Sequence, residues 1–171
     1  MVRMLSIAAL AALVLMAQAC GRKPAGAEAA ETAQALLAAA WSGDTQGFEA
    51  RVDRAAVRAD LRRQLLAVAQ ANMLAVEGGA SDAALDRMIT PDSFKLVEAG
   101  SGAPLSVAPS TGQTAALMKP LGKDRACLHD VTPQKSCVLT FAREAAGWRL
   151  VAMRPAGFNL EIGPEPAKAG S

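Results

Sequence analysis

The sequence predicts an α+β domain in which N-terminal helices pack on a small C-terminal antiparallel sheet of three to four strands. Three observations predict it. Up to about residue 121, apolar residues recur every three to four positions, the spacing of helices with one buried face. From about residue 122 the spacing drops to two, which sends alternate side chains to opposite faces of a strand. Between those strands lie Asp130–Ser136, with Pro133 inside it, and Glu144-Ala145-Ala146-Gly147, both rich in turn-forming residues.

The chain opens on a separate unit. Arg3 precedes an almost unbroken apolar run, Leu5 to Met16, and Ala17-Gln18-Ala19-Cys20 closes it. A basic start, a short apolar core and small residues at the end form the pattern of a secretory signal. The run is shorter than the roughly 20 residues a membrane span needs. The stretch Ala17-Gln18-Ala19-Cys20 resembles the lipobox of bacterial lipoprotein signals, with Ala17 where that pattern prefers leucine. The resemblance implies cleavage before Cys20, diacylglycerol on its thiol, and acylation of the new amino terminus by a fatty acid such as palmitate. Two or more acyl chains hold a protein firmly to a bilayer. Gly21 rather than Asp after the cysteine implies the outer membrane, facing the periplasm. The expected organisation is a signal over 1–19, a lipidated tether over 20–30, and one domain over 31–162. That domain is mainly helical over 31–121 and mainly strand over 122–162. A loose tail follows over 163–171. Arg22 and Lys23 in the tether read as solvated charges.

Composition narrows the function. Eighteen Lys and Arg stand against sixteen Asp and Glu, and the two signs are interspersed. No basic face for nucleic acid is present in that pattern. Of the three cysteines, the lipobox resemblance assigns Cys20 to the lipid. Export then places Cys127 and Cys137 in an oxidising compartment, where the pair reads as a disulfide.

The helical half is read in order. Glu31–Trp41 is a helix with Leu36, Leu37, Ala40 and Trp41 on one face, stopped at Ser42-Gly43-Asp44. Asp44 or Thr45 caps a short helix through Phe48. Asp53 caps the longest helix, Arg54 to about Val76. Its stripe is Val57, Leu61, Leu65, Val68 and Val76, widened by Ala69 and Met73, with Asn72 close by. Arg58, Asp60, Arg62, Arg63 and Gln70 face elsewhere, and Arg62-Arg63 reads as a solvated face. Ser81 caps a helix to Met88 that turns Ala84, Leu85 and Met88 inward. Pro91 opens another helix, with Phe94, Leu96 and Val97 on its apolar side. Glu98–Gly112 reads as a mobile connection with a short strand at Leu105 and Val107. Gln113–Leu121 fits either periodicity.

Three strands follow: Ala126–His129, Cys137–Arg143 and Trp148–Arg154. In the expected register Cys137, Leu139 and Phe141 share a face and meet Trp148, Leu150 and Ala152 across the hairpin. Val138, Val151 and Met153 take the other face. Phe158, Leu160 and Ile162 supply a final strand.

Ser42-Gly43-Asp44, Phe48, Val52-Asp53, Val57-Arg58, Leu61 and Gln64-Leu65 resemble a bacterial family called domain of unknown function twenty-nine thirty-nine. So do Ile89-Thr90-Pro91 and Gly147-Trp148-Arg149-Leu150-Val151. That resemblance implies an exported or anchored protein with helices before a small sheet, and it brings no catalytic residues.

Motifs for chemistry are sparse. His129 stands two residues from Cys127, but catalytic zinc needs about three protein ligands with outer support. A disulfide would also remove both thiols, as ligands and as nucleophiles. No phosphate loop, nucleophile elbow or paired metal-protease histidines occur. The site residues expected are therefore Cys20 for lipid and the Cys127–Cys137 pair, with no catalytic, cofactor-binding or metal-ligating residue. The function expected is a membrane-anchored envelope lipoprotein, a non-enzymatic interaction or structural module that meets a periplasmic protein partner. The alternative is a small-ligand binder or enzyme with a pocket between helices and sheet.

Overall fold

Alanine at 29, 33 and 40, with leucine at 36 and 37, gives the first helix a narrow apolar stripe that sinks completely into the core. In the computed structural model, which describes residues 25–73, 79–131, 136–155 and 159–166, this helix is α1 (Ala25–Ser42). It begins inside the stretch expected as tether, and Ala29 and Ala30 are already buried. Small side chains let its backbone lie close to the sheet. Trp41, expected inward, is 44% exposed, and its Nε1 donates to Leu105 O at 3.1 Å.

Helix α2 (Thr45–Glu49) follows, with Asp44 accepting the Gly47 N–H at 2.9 Å. A Cβ at 47 would meet Asp44 Oδ2 at 2.1 Å, so glycine is what lets this cap close over its own helix. Phe48 then buries against Phe94, edge to face, with ring centroids 5.3 Å apart. Helix α3 (Arg54–Ala71) starts at Asp53, whose carboxylate accepts the Ala56 N–H at 3.0 Å.

Two features of α3 correct the sequence expectation. The helix ends at Ala71, and Met73 has a positive φ of 54°. Its stripe is buried at Val57, Leu61 and Ala69, but Val68 is 57% and Met73 is 96% exposed. Gln64 Nε2 donates to the carbonyl of Met153 at 2.9 Å, the last residue of the strand beneath, and the helix overhangs the sheet beyond that point. Val76 lies outside the described residues, as do Cys20, Pro133 and Phe158. Asn72 is an exposed C-cap that donates to Val68 O at 2.7 Å.

Short helix α4 (Asp82–Asp86) has the Ser81 cap. Pro91 opens only a single 3₁₀ turn, Pro91–Ser93, rather than a helix. Phe94, Leu96 and Val97 instead lead into strand β1 (Lys95–Glu98). The expected mobile connection is pinned: Leu105 N donates to Leu96 O at 3.1 Å, and Gln34 Nε2 to Pro109 O at 3.1 Å. Val107 belongs to no strand and is exposed. Helix α5 (Thr111–Leu117), with a Ser110–Gln113 capping box, and strand β2 (Met118–Pro120) resolve the ambiguous stretch.

Strands β3 (Arg125–His129), β4 (Cys137–Glu144) and β5 (Gly147–Met153) complete a four-stranded antiparallel sheet in the order β2-β3-β4-β5. Gly147 takes a φ of 115° in the β4–β5 turn, a conformation that an L side chain rarely adopts. The register carries two irregularities. One lies opposite Leu128 and His129, the other opposite Thr140 and Phe141. The second pairs Phe141 with Leu150 and Leu139 with Met153, and sets Ala152, expected against the Cys137, Leu139 and Phe141 face, opposite Thr140, because Val151 is the extra residue of a bulge. Leu150 and Met153, three apart in sequence, are therefore both buried. Trp148 sits opposite Arg143, whose guanidinium lies 5.2 Å from the indole centroid.

The last strand, β6 (Asn159–Ile162), does not extend that sheet. It pairs in parallel with β1, Leu96 opposite Leu160, as a separate two-stranded sheet. Residues 163–166, expected as loose tail, are tied to α5: Gln113 Nε2 donates to Gly163 O at 2.8 Å and Ser110 Oγ to Glu165. The architecture is thus mixed helix and sheet, with helices first and a four-stranded antiparallel sheet toward the C-terminus.

The Ala56 N–H holds the Asp53 carboxyl below its ordinary value of 3.8. A carboxyl lowered by folding stabilises the fold above its unfolded pKa, and that contribution is lost as pH falls through the folded value. Asp53→Ala should lower unfolding free energy by about 1 kcal/mol in urea titrations at neutral pH. Asp53→Asn, which keeps an acceptor but no charge, should make stability fall less steeply below pH 3.8 than in the parent. Phe141→Ala, emptying a fully buried position, should cost about 3–5 kcal/mol by the same measurement.

Candidate functional site

Arg54, Arg58 and Arg62 recur every four residues and so share one face of α3. Asp82 and Asp86 repeat at the same spacing on α4. The structure joins the two rows. Arg54 forks onto Glu49, with Nε to Oε2 at 2.7 Å, and also reaches Asp86 at 3.0 Å and the Ile89 carbonyl at 3.0 Å. Arg58 reaches Asp82 and Asp86 at 3.5 and 3.3 Å. Arg62 reaches Asp82 at 2.6 Å and the Ala80 carbonyl at 3.4 Å. The hydrogen bond to Glu49 leads the causes that raise the Arg54 pKa, and the one from Arg62 leads those that lower Asp82. Arg63, beside this row, binds Asp60 at 2.6 Å. The charges read as a solvated face therefore stitch α2, α3 and α4 together. Matching four-residue spacings of Arg and Asp were the signal for it in the sequence.

This stitching draws Gly79 and Ala80 against the last turns of α3. The result is an apolar groove of about 410 Å³ lined by Arg62, Leu65, Leu66, Val68, Ala69 and Ala80. Leu66 and Val68 stand exposed along it, and Met73 is exposed just past the end of α3. Sequence periodicity placed Val68 and Met73 in the core because it registers a stripe and not where the supporting sheet ends.

A second cleft, about 380 Å³, lies between α3 and the β4–β5 hairpin. Its polar walls are engaged with one another. Gln64 Nε2 donates to Asp60 at 2.6 Å as well as to Met153 O, and Arg154 binds Asp130 at 3.0 Å and Ser136 Oγ at 2.6 Å. The disulfide-distance pair borders this cleft: the sulfurs of Cys127 and Cys137 are 2.06 Å apart and the Cα atoms 5.7 Å. Cys127 is buried and Cys137 faces the cleft. His129 lines a third hollow, about 520 Å³, with Leu117, Met118, Lys119, Asp130 and Val131. Among the described residues no three of His, Cys, Asp and Glu gather as a metal would require, and no helix is long and apolar enough to cross a membrane.

No family model, curated protein or solved structure matches the chain.

The disulfide and the Arg154–Asp130–Ser136 cluster close the same turn from two sides. Cross-linking a loop of about 11 residues should stabilise the fold by about 2–3 kcal/mol. A thermal melt should therefore show a lower midpoint in reductant than without it. An unchanged midpoint, in a sample shown to start oxidised, would remove this role.

Proposed function

We propose that the chain is a lipid-anchored bacterial envelope lipoprotein whose domain binds a periplasmic protein rather than carrying out a reaction. The observation that carries the reading is the apolar groove at the overhanging end of α3. A well-packed interior leaves Leu66 and Val68 exposed on its walls, and exposed apolar patches of this kind mark interaction sites. Its apolar lining suits the apolar face of a partner helix laid along α3. The anchor rests on the lipobox resemblance around Cys20, and the outer-membrane address on Gly21. The resemblance to the unknown-function family fits an exported protein of this kind.

A second reading, a small-ligand binder or enzyme, is favoured by the cleft between α3 and the β4–β5 hairpin, which has Asp60 and Thr140 on its walls. The engaged state of its polar groups, Asp60 with Gln64 and Arg63 among them, favours the first.

Site-specific photocrosslinking separates the two. A probe at Val68 in the full chain, expressed in its native membrane, should give one recurrent protein adduct, and a probe at exposed Ala145 should not. Leu66→Asp should abolish the adduct without moving the melting midpoint. Equal labelling from both positions, or none, would sink the partner reading. Intact mass of the membrane-extracted chain should fit a start at acylated Cys20.

A further inference from the structure

The anchor proposed above was expected to hang on a tether over residues 20–30. Helix α1 begins at Ala25, and by Ala29 it is fixed in the core. From Cys20 to Ala25 the chain spans at most about 18 Å, even fully extended. The start of α1 is itself fixed against the sheet: a Cβ on Gly26 would lie 3.4 Å from the Pro120 ring. A lipid on Cys20 would therefore hold one particular end of the domain at the bilayer.

That end carries the turn between β2 and β3, residues 121–124, whose Leu121 N–H donates to Arg125 O at 2.8 Å. The β4–β5 turn lies beside it, through Arg143 N–H to Asp124 O at 2.9 Å. Leu121 is 52% exposed. Lys119, Lys123 and Arg125 flank it along the chain, all exposed, with Asp124, 4.0 Å from Arg143, as the exposed acid among them. The other charges nearby neutralise one another, Arg143 with Glu28 and Arg149 with Glu144. A net positive turn that also exposes one apolar side chain thus sits beside the point where the lipid would enter. Arg22 and Lys23 add two more positive charges to the connecting stretch in the sequence.

We infer that the 119–125 turn is a membrane-docking surface for anionic lipid headgroups, with Leu121 entering the interface and the three basic side chains on phosphates. The inference rests on the proposed anchor. Short reach and charge complementarity choose the occupant: a surface held within this distance of a bilayer meets lipid first, and basic groups near anionic lipid bind it. Docking would fix the orientation of the domain and point the far side of the molecule into the periplasm.

The test uses the full acylated chain in vesicles of phosphatidylcholine alone or with phosphatidylglycerol, read by hydrogen exchange of the 119–125 segment. Exchange should be slower with phosphatidylglycerol, by about fivefold for each basic group engaged. Lys119→Glu with Lys123→Glu should abolish the difference while the acyl chains keep the protein on the vesicles. Leu121→Ser, which leaves the charges in place, should weaken it. Equal exchange in both vesicles, with the protein acylated and vesicle-bound, would overturn the docking surface and leave the anchor standing. Protection in native membranes but not in lipid vesicles would also overturn it, assigning the turn to a protein. A chain without acyl groups would remove the anchor itself, and the docking surface with it.

Discussion

Three residues between α2 and α3 hold the molecule together. Leu150 N–H donates to Arg51 O at 2.8 Å, and Asp53 N–H donates to Leu150 O at 2.9 Å. Val52 thus pairs with Leu150 in parallel, as a one-residue extension of the sheet. Arg149 reaches over to the Val52 carbonyl at 2.6 Å. β5 is the edge of the four-stranded sheet, and an open edge is a template for wrong pairing. This short bridge covers part of it with the chain's own backbone. It also fixes where α3 starts, because Asp53 spends its N–H on the sheet and its carboxylate on the helix.

The positions of the helices follow from that junction. With its first turn held at β5, α3 runs alongside the strand until Gln64 meets Met153, and its remaining turns project past the sheet. The arginine row then has only α2 and α4 to pair with, and the acids at 49, 82 and 86 answer it. Individually, exposed pairs contribute little. Their effect here is geometric, since they fold the 79–82 segment back to make a groove wall. The apolar end of α3 is a consequence of the same geometry, a helix longer than the surface that supports it.

The residues differ in how clearly their roles could be read beforehand. Asp44, Asp53 and Ser81 were legible as caps because a cap acts on amides two or three residues away. Gly147 and the hairpin it closes were legible for the same reason. Phe94, Leu96 and Val97 were misread as helical because Pro91 can open either a helix or a single turn. Only the partner strand at Leu160 makes the extended form the better one. Leu139 and Met153 were placed on different faces because alternation assumes an unbroken ladder, and the bulge at Val151 breaks it. Near the proposed interaction groove, Val68 and Met73 were visible as apolar residues but not as exposed ones.

By itself the sequence determined that helices come first and an antiparallel sheet follows, the caps at Asp44, Asp53 and Ser81, and which two cysteines are left once Cys20 is assigned to lipid. These depend on neighbours along the chain or on counting. Tertiary structure alone decided that β1 and β6 pair apart from the main sheet, that α1 lies against Pro120 at Gly26, and that α3 outruns its support. Each joins segments far apart in sequence. Such pairings are selected by the area buried and the hydrogen bonds completed in the whole fold, and no local pattern records them.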